Sequence, residues 1–85
     1  MKYPHLELFY YNECFFCQKV LGQLDTLNIK VDFKNIYEDQ NNMDRLFSET
    51  GRRTTPCLFI DGKPMFESED IIEWLKNNIN DLEKT

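Results

Sequence analysis

Cys14 and Cys17 carry the most chemical capacity in this sequence. Only Phe15 and Phe16 separate them, and a third cysteine stands at Cys57. A C-x-x-C pair either exchanges thiols for disulfides or supplies half of a tetrahedral zinc site. Zinc needs two further ligands, and the remaining candidates, Cys57 and His5, form no second paired knuckle. No metal site is therefore expected. Thiol–disulfide exchange instead needs two unequal sulfurs, one ionised and reachable, the other close enough to displace what the first has bound.

The inequality comes from the elements that hold the pair. Residues 6–11 are rich in aromatic and aliphatic side chains and end at Asn12, which predicts a strand. After the cysteines, Cys17, Val20, Leu21, Leu24 and Leu27 follow the stripe of an amphipathic helix that stops at Asn28. The motif thus sits at a helix start, where the first backbone N–H groups are unpaired and the dipole favours an anion. A Cys14 thiolate is stabilised there and becomes the nucleophile. Cys17 lies one turn on, more buried, and is placed to resolve.

The rest of the chain alternates in the same manner. Val31, Phe33 and Ile36 mark a second strand. Asn41 or Asn42 is read as the cap of a helix carrying Met43, Leu46 and Phe47 and closed by Gly51. Residues 57–60 form an apolar run, and Asp61-Gly62 turns it back into a short edge strand. Ser68 is read as the cap of the last helix, with Glu69 and Asp70 as negative charge in its first turn. Ile71, Ile72, Trp74, Leu75 and Ile79 form that helix's buried face. Right-handed crossovers then predict an α/β domain over 1–85: a four-stranded mixed sheet flanked by three helices, in the order β-α-β-α-β-β-α, a thioredoxin-like layout.

Composition excludes several classes. Ten basic against fifteen acidic residues leave a net charge of −5, and no basic run exceeds Arg52-Arg53, so no nucleic-acid partner is expected. No apolar run approaches the roughly 20 residues of a membrane helix, and the first residues lack the apolar core of a secretion signal. A cytoplasmic monomer is expected, in a compartment where structural disulfides are rare. Cys57 reads as a small core residue, His5 as a bystander without a triad partner, and Trp74 as core.

Taken together, Leu8-Phe9-Tyr10-Tyr11 leading into Cys14-Phe15-Phe16-Cys17, the stretch Gly51-Arg52-Arg53-Thr54-Thr55-Pro56, and Leu58-Phe59-Ile60-Asp61-Gly62 resemble a glutaredoxin over nearly the whole chain. Phe66-Glu67-Ser68-Glu69-Asp70-Ile71-Ile72 also resembles the glutathione-contacting turn of glutathione transferase N-terminal domains. The resemblance implies glutathione as co-substrate and glutathionylated or disulfide-bonded proteins as partners. It implies that Pro56 is cis and faces the cysteines, and that the Thr55 backbone pairs with the cysteinyl segment of glutathione. The turn at Ser68 and Glu69 would take the γ-glutamyl carboxylate, an anion suited to a helix start. Arg52 lines up best with the family's arginine for the glycine carboxylate, with Arg53 and Lys19 as the other cations.

Departures from the family pattern mark what is particular here. Proline and tyrosine usually stand between the cysteines, whereas both are phenylalanine in this chain. The two rings either form an apolar rim beside an exposed nucleophile or turn one ring inward. Tyr11 replaces a frequent lysine, and Glu13 places a negative charge beside Cys14. The expected function is glutathione-dependent thiol–disulfide exchange. The alternatives are a glutathione-ligated [2Fe–2S] carrier, motivated by the missing proline, and a thioredoxin-type reductant, opposed by the absence of Trp-Cys-Gly-Pro-Cys. A full glutathione transferase is not expected, since its second domain does not fit in this length.

Overall fold

Two faces of one strand organise the molecule. In the computed structural model, which describes residues 3–85, strand β1 (Leu6–Tyr10) lies at the centre of the sheet. Leu6 and Leu8 point to one side, and Glu7 and Phe9 to the other, as the twofold side-chain period of a strand requires. The further elements are α1 (Phe15–Leu27), β2 (Asp32–Asn35), α2 (Gln40–Thr50), β3 (Cys57–Ile60), β4 (Lys63–Phe66) and α3 (Ser68–Asn77), followed by a 3-10 turn at Ile79–Asp81. The sheet order is β2-β1-β3-β4, with β2 parallel to β1 and the other pairs antiparallel. This is the expected element order and a thioredoxin-like fold.

Leu6 and Leu8 join Leu58, Val20, Leu24, Ile71 and Leu75 in a core beneath α1 and α3. Phe9, Cys57, Phe59, Ile36 and Leu46 form a smaller core beneath α2. Trp74 is half-buried and packs on the first core's edge. Cys57, opposite Phe9 in the β1–β3 register, therefore faces α2 and not the C-x-x-C helix.

A charged pair also holds α2 to the sheet. Glu7, buried on β1, accepts a two-pronged hydrogen bond from the Arg45 guanidinium, one arm at 2.8 Å. That guanidinium lies over the rings of Phe9 and Phe59, 5.4 and 5.2 Å from their centroids. The Arg45 bond holds the Glu7 carboxyl below its ordinary range.

Local chemistry at the turns differs from expectation in places. Asp61 and Gly62 both have positive φ, the twist a two-residue hairpin needs. Asn28 and Gly51 end α1 and α2 in left-handed conformations, as expected. The cap of α2 is Asp39, not Asn41 or Asn42: its side chain accepts the Asn41 N–H, so the helix begins earlier. Ser68 is not a cap either. Glu67 holds that position at φ 72°, and Ser68 is the first helical residue. The His5 ring meets Asp32 at 2.7 Å on the surface, at the end of β1 opposite the cysteines. The bond lowers the Asp32 carboxyl.

Candidate functional site

The chain leaves β1 at Tyr10, crosses Tyr11 to Glu13, and enters α1 through Cys14. Cys14 is the N-cap residue, in extended backbone conformation, and its sulfur does what a cap oxygen does elsewhere: it accepts the Cys17 N–H at 3.2 Å. The Cys14 N–H is itself held by the Tyr11 carbonyl at 3.2 Å. The sulfur also receives the Thr55 hydroxyl at 3.6 Å, and as a thiol it points toward the Thr55 carbonyl at 3.9 Å. Two donors therefore converge on the Cys14 sulfur, one from the backbone of its own helix and one from Thr55.

The two sulfurs differ in burial. Cys14 keeps 6% of its surface exposed and Cys17 none. Cys14 is thus less open than an exposed nucleophile, because Thr55 packs against it from the segment before β3. Burial pushes the Cys17 thiol up to about 11, and its hydrogen bond with Cys14 adds to the effect. The Cys57 thiol, also without exposure, is pushed up to about 12 by burial. All three cysteines are free thiols.

These buried thiols fix a pH dependence. Below about pH 9 the folded and unfolded chains both hold the two protons, and the thiols leave stability unchanged. Above it the unfolded chain releases protons that the folded chain keeps, so stability falls by up to about 1.4 kcal/mol per pH unit for each thiol. Cys57→Ala is expected to flatten the decline between about pH 9 and 12. Urea unfolding across that range checks it, and a slope equal to that of the parent chain contradicts it.

A cleft of about 320 Å³ opens beside the pair, lined by Phe16, Thr54, Thr55, Pro56, Glu67, Ser68 and Glu69. The Thr55-Pro56 bond is cis. The fold therefore brings Thr55, Pro56, Ser68 and Glu69 together at one cleft, with Thr55 joining it to Cys14. Lys19 of α1 reaches Glu69 of α3 at 2.7 Å and spans the two helices; this lowers the Glu69 carboxyl. Arg52 and Arg53 lie instead over the rings of Phe66 and Phe47, 4.2 and 4.1 Å from their centroids. Phe15 and Phe16 both face outward, 71% and 55% exposed, with centroids 5.5 Å apart and planes at 74°.

Glu67 and Tyr11 also adjoin the site, in roles that the sequence reading did not assign them. Glu67 lines the cleft because its left-handed backbone turns the chain out of β4 into α3. Nothing in its residue type signals this. Tyr11 neighbours the sulfurs, and the charge on Cys14 is the largest cause of its raised phenol. Among the described residues, no group of three or more His, Cys, Asp or Glu side chains is arranged to hold a metal ion. No helix there is long and apolar enough to cross a membrane.

Residues 8–81 match the family model for the glutathione S-transferase N-terminal domain. No curated protein sequence matches the chain. Among solved structures, wheat glutaredoxin superposes with a TM-score of 0.73 at 22% identity, over 94% of this chain and 83% of that one. The buckwheat glutaredoxin–glutathione complex gives 0.70 at 23% identity, over 89% and 72%. An epsilon-class glutathione S-transferase from the housefly, Musca domestica, gives 0.71 at 20% identity, over 87% of this chain but only 35% of its own length. At these identities the likeness establishes a shared fold.

Proposed function

The chain belongs to the glutathione S-transferase N-terminal domain family, and from that premise we propose that it is a glutathione-dependent thiol–disulfide oxidoreductase acting through Cys14 and Cys17. The observation that carries this reading is the Cys14 sulfur: it caps α1, receives two hydrogen-bond donors, and shares Thr55 with a cleft wide enough for a small peptide. The Cys14 thiolate attacks the glutathionyl sulfur of a mixed disulfide. A Cys14–glutathione bond forms, the bond to the substrate cysteine breaks, and the substrate thiolate leaves to take a proton from solvent. A second glutathione thiolate then attacks the Cys14-bound glutathione, releasing glutathione disulfide and restoring Cys14.

Cys17 offers the other exit, displacing glutathione to form a Cys14–Cys17 disulfide. Its thiol keeps its proton near neutral pH, held up to about 11 by burial, and must lose it to attack. In the cleft the Thr55 backbone pairs with the cysteinyl segment of glutathione. The backbone N–H groups of Ser68 and Glu69, at the start of α3, take the γ-glutamyl carboxylate, while the Glu69 side chain is committed to Lys19. The exposed carboxylate of Glu67 meets the neighbouring ammonium.

Turnover of a small mixed disulfide by glutathione, coupled to glutathione reductase, tests the proposal. Activity that rises with glutathione and saturates is expected. Activity served by thioredoxin reductase alone would overturn it in favour of a thioredoxin-type reductant.

A further inference from the structure

Phe15 and Phe16 are large apolar side chains that the fold leaves in water. The buried stripe of α1 is filled by Cys17, Val20 and Leu24, which turns positions 15 and 16 outward at the tip of the helix. Both residues follow Cys14 directly in the chain, and the edge-to-face packing of their rings makes one surface. Little side-chain ordering is then left to oppose binding. Phe16 lines the cleft, but Phe15 lies outside its lining. A glutathionyl group seated in the cleft therefore leaves Phe15 uncovered, and the other half of a mixed disulfide is what can reach it.

The charge around the rings selects among such halves. Glu13, next to Cys14, and Glu67, in the cleft, are both exposed. Lys19 stands 6.0 Å from the Phe16 centroid, and Glu69 pairs with it at 2.7 Å. Arg52 and Arg53 keep their charge but stack on Phe66 and Phe47, outside the cleft lining. The exposed charge directly beside Cys14 in the chain is thus the Glu13 carboxylate, on a protein of net charge −5.

We infer that Phe15 and Phe16 dock protein substrates whose disulfide-bonded cysteine is flanked by apolar side chains and basic residues. This rests on the exchange chemistry proposed above, in which the docked segment's cysteine is the leaving thiolate. The apolar neighbour covers Phe15, and the basic neighbour meets Glu13, since Glu67 faces the glutathione ammonium in the cleft. Covering a ring this exposed is worth about tenfold in kcat/KM.

The test compares two glutathionylated peptides, Lys-Phe-Cys-Phe-Lys and Glu-Ala-Cys-Ala-Glu, with the small mixed disulfide of glutathione and 2-mercaptoethanol. The intact chain is expected to favour the first peptide by at least about tenfold, with the preference shrinking in about 0.5 M salt. Phe15→Ser is expected to remove most of that preference while turning over the small disulfide within about twofold of the parent. Equal rates on the two peptides, or an equal loss on all three substrates in Phe15→Ser, would overturn the inference and leave the proposed chemistry standing. A chain inactive on every substrate would sink the chemistry instead. Docking is then read by ring NMR shifts of Phe15 and Phe16 with the first peptide carrying serine for cysteine. Shifts with that peptide and not its acidic counterpart support the surface, and their absence overturns it.

Discussion

Cys14→Ser is expected to fold normally and to lose glutathione-dependent turnover by more than about a thousandfold, whereas Cys17→Ser retains a large share of it. The asymmetry follows from what each sulfur does. Cys14 has two duties, as helix cap and as nucleophile. Serine is among the best cap residues, so its hydroxyl takes over the Cys17 N–H and the fold is kept, but it stays protonated at neutral pH and does not attack disulfides. Cys14→Ala removes the cap as well and is expected to lose about 1 kcal/mol of stability besides all turnover. Cys17, fully buried and held as a thiol, supplies only one of two exits from the glutathionylated intermediate, and the second glutathione supplies the other. Melting curves and the coupled assay, run on the same preparations, check both halves. An active Cys14→Ser beside a dead Cys17→Ser would reverse the assignment.

Phe59→Ala carries the largest expected loss of stability, about 3–5 kcal/mol. Phe59 is fully buried at the centre of the smaller core, with its ring centroid 4.9 Å from that of Phe9 and the Arg45 guanidinium above both. Truncation leaves a cavity that strand β3 cannot close, because hydrogen bonding to β1 and β4 fixes its backbone. It also weakens the packing that holds Arg45 over Glu7, and with it the docking of α2. A domain of this size has on the order of 5–10 kcal/mol in total, so the variant is expected to be largely unfolded at moderate temperature. Phe16→Ala, at an exposed ring, is expected to change stability by less than about 1 kcal/mol. Urea unfolding of the two variants separates the cases, and similar midpoints would contradict the placement of the smaller core.

The difference between these two phenylalanines marks how far the sequence could be read. Local signals carried the elements: an aromatic run before a helical stripe, Asp61-Gly62 between two apolar stretches, and Gly51 after the second helix. These features act over a few residues, and a few residues suffice to identify them. The C-x-x-C pair at a helix start, with Cys17 the more buried sulfur, was legible for the same reason. What escaped depends on contacts between distant segments or on backbone angles that residue type does not announce. The resemblance put Thr55 near the cysteines but did not give its packing on Cys14, 41 residues away, and Arg45, which pairs with buried Glu7, is 38 away from it. The ring of His5 finds Asp32 only because β1 and β2 run parallel. Glu67 enters the cleft through a left-handed backbone that a glycine would have signalled and a glutamate does not. The choice between Asp39, Asn41 and Asn42 as a cap turned on where the chain leaves extended conformation, since all three residue types can cap.

The central claim is that Cys14, unlike its two fellow cysteines, takes up glutathione. The most direct measurement is the intact mass of the Cys17→Ser chain after brief exposure to glutathione disulfide near neutral pH, followed by peptide mapping. One glutathione per chain, on Cys14 alone, is the expected result. An unmodified chain, or an adduct carried by Cys57, would contradict the account.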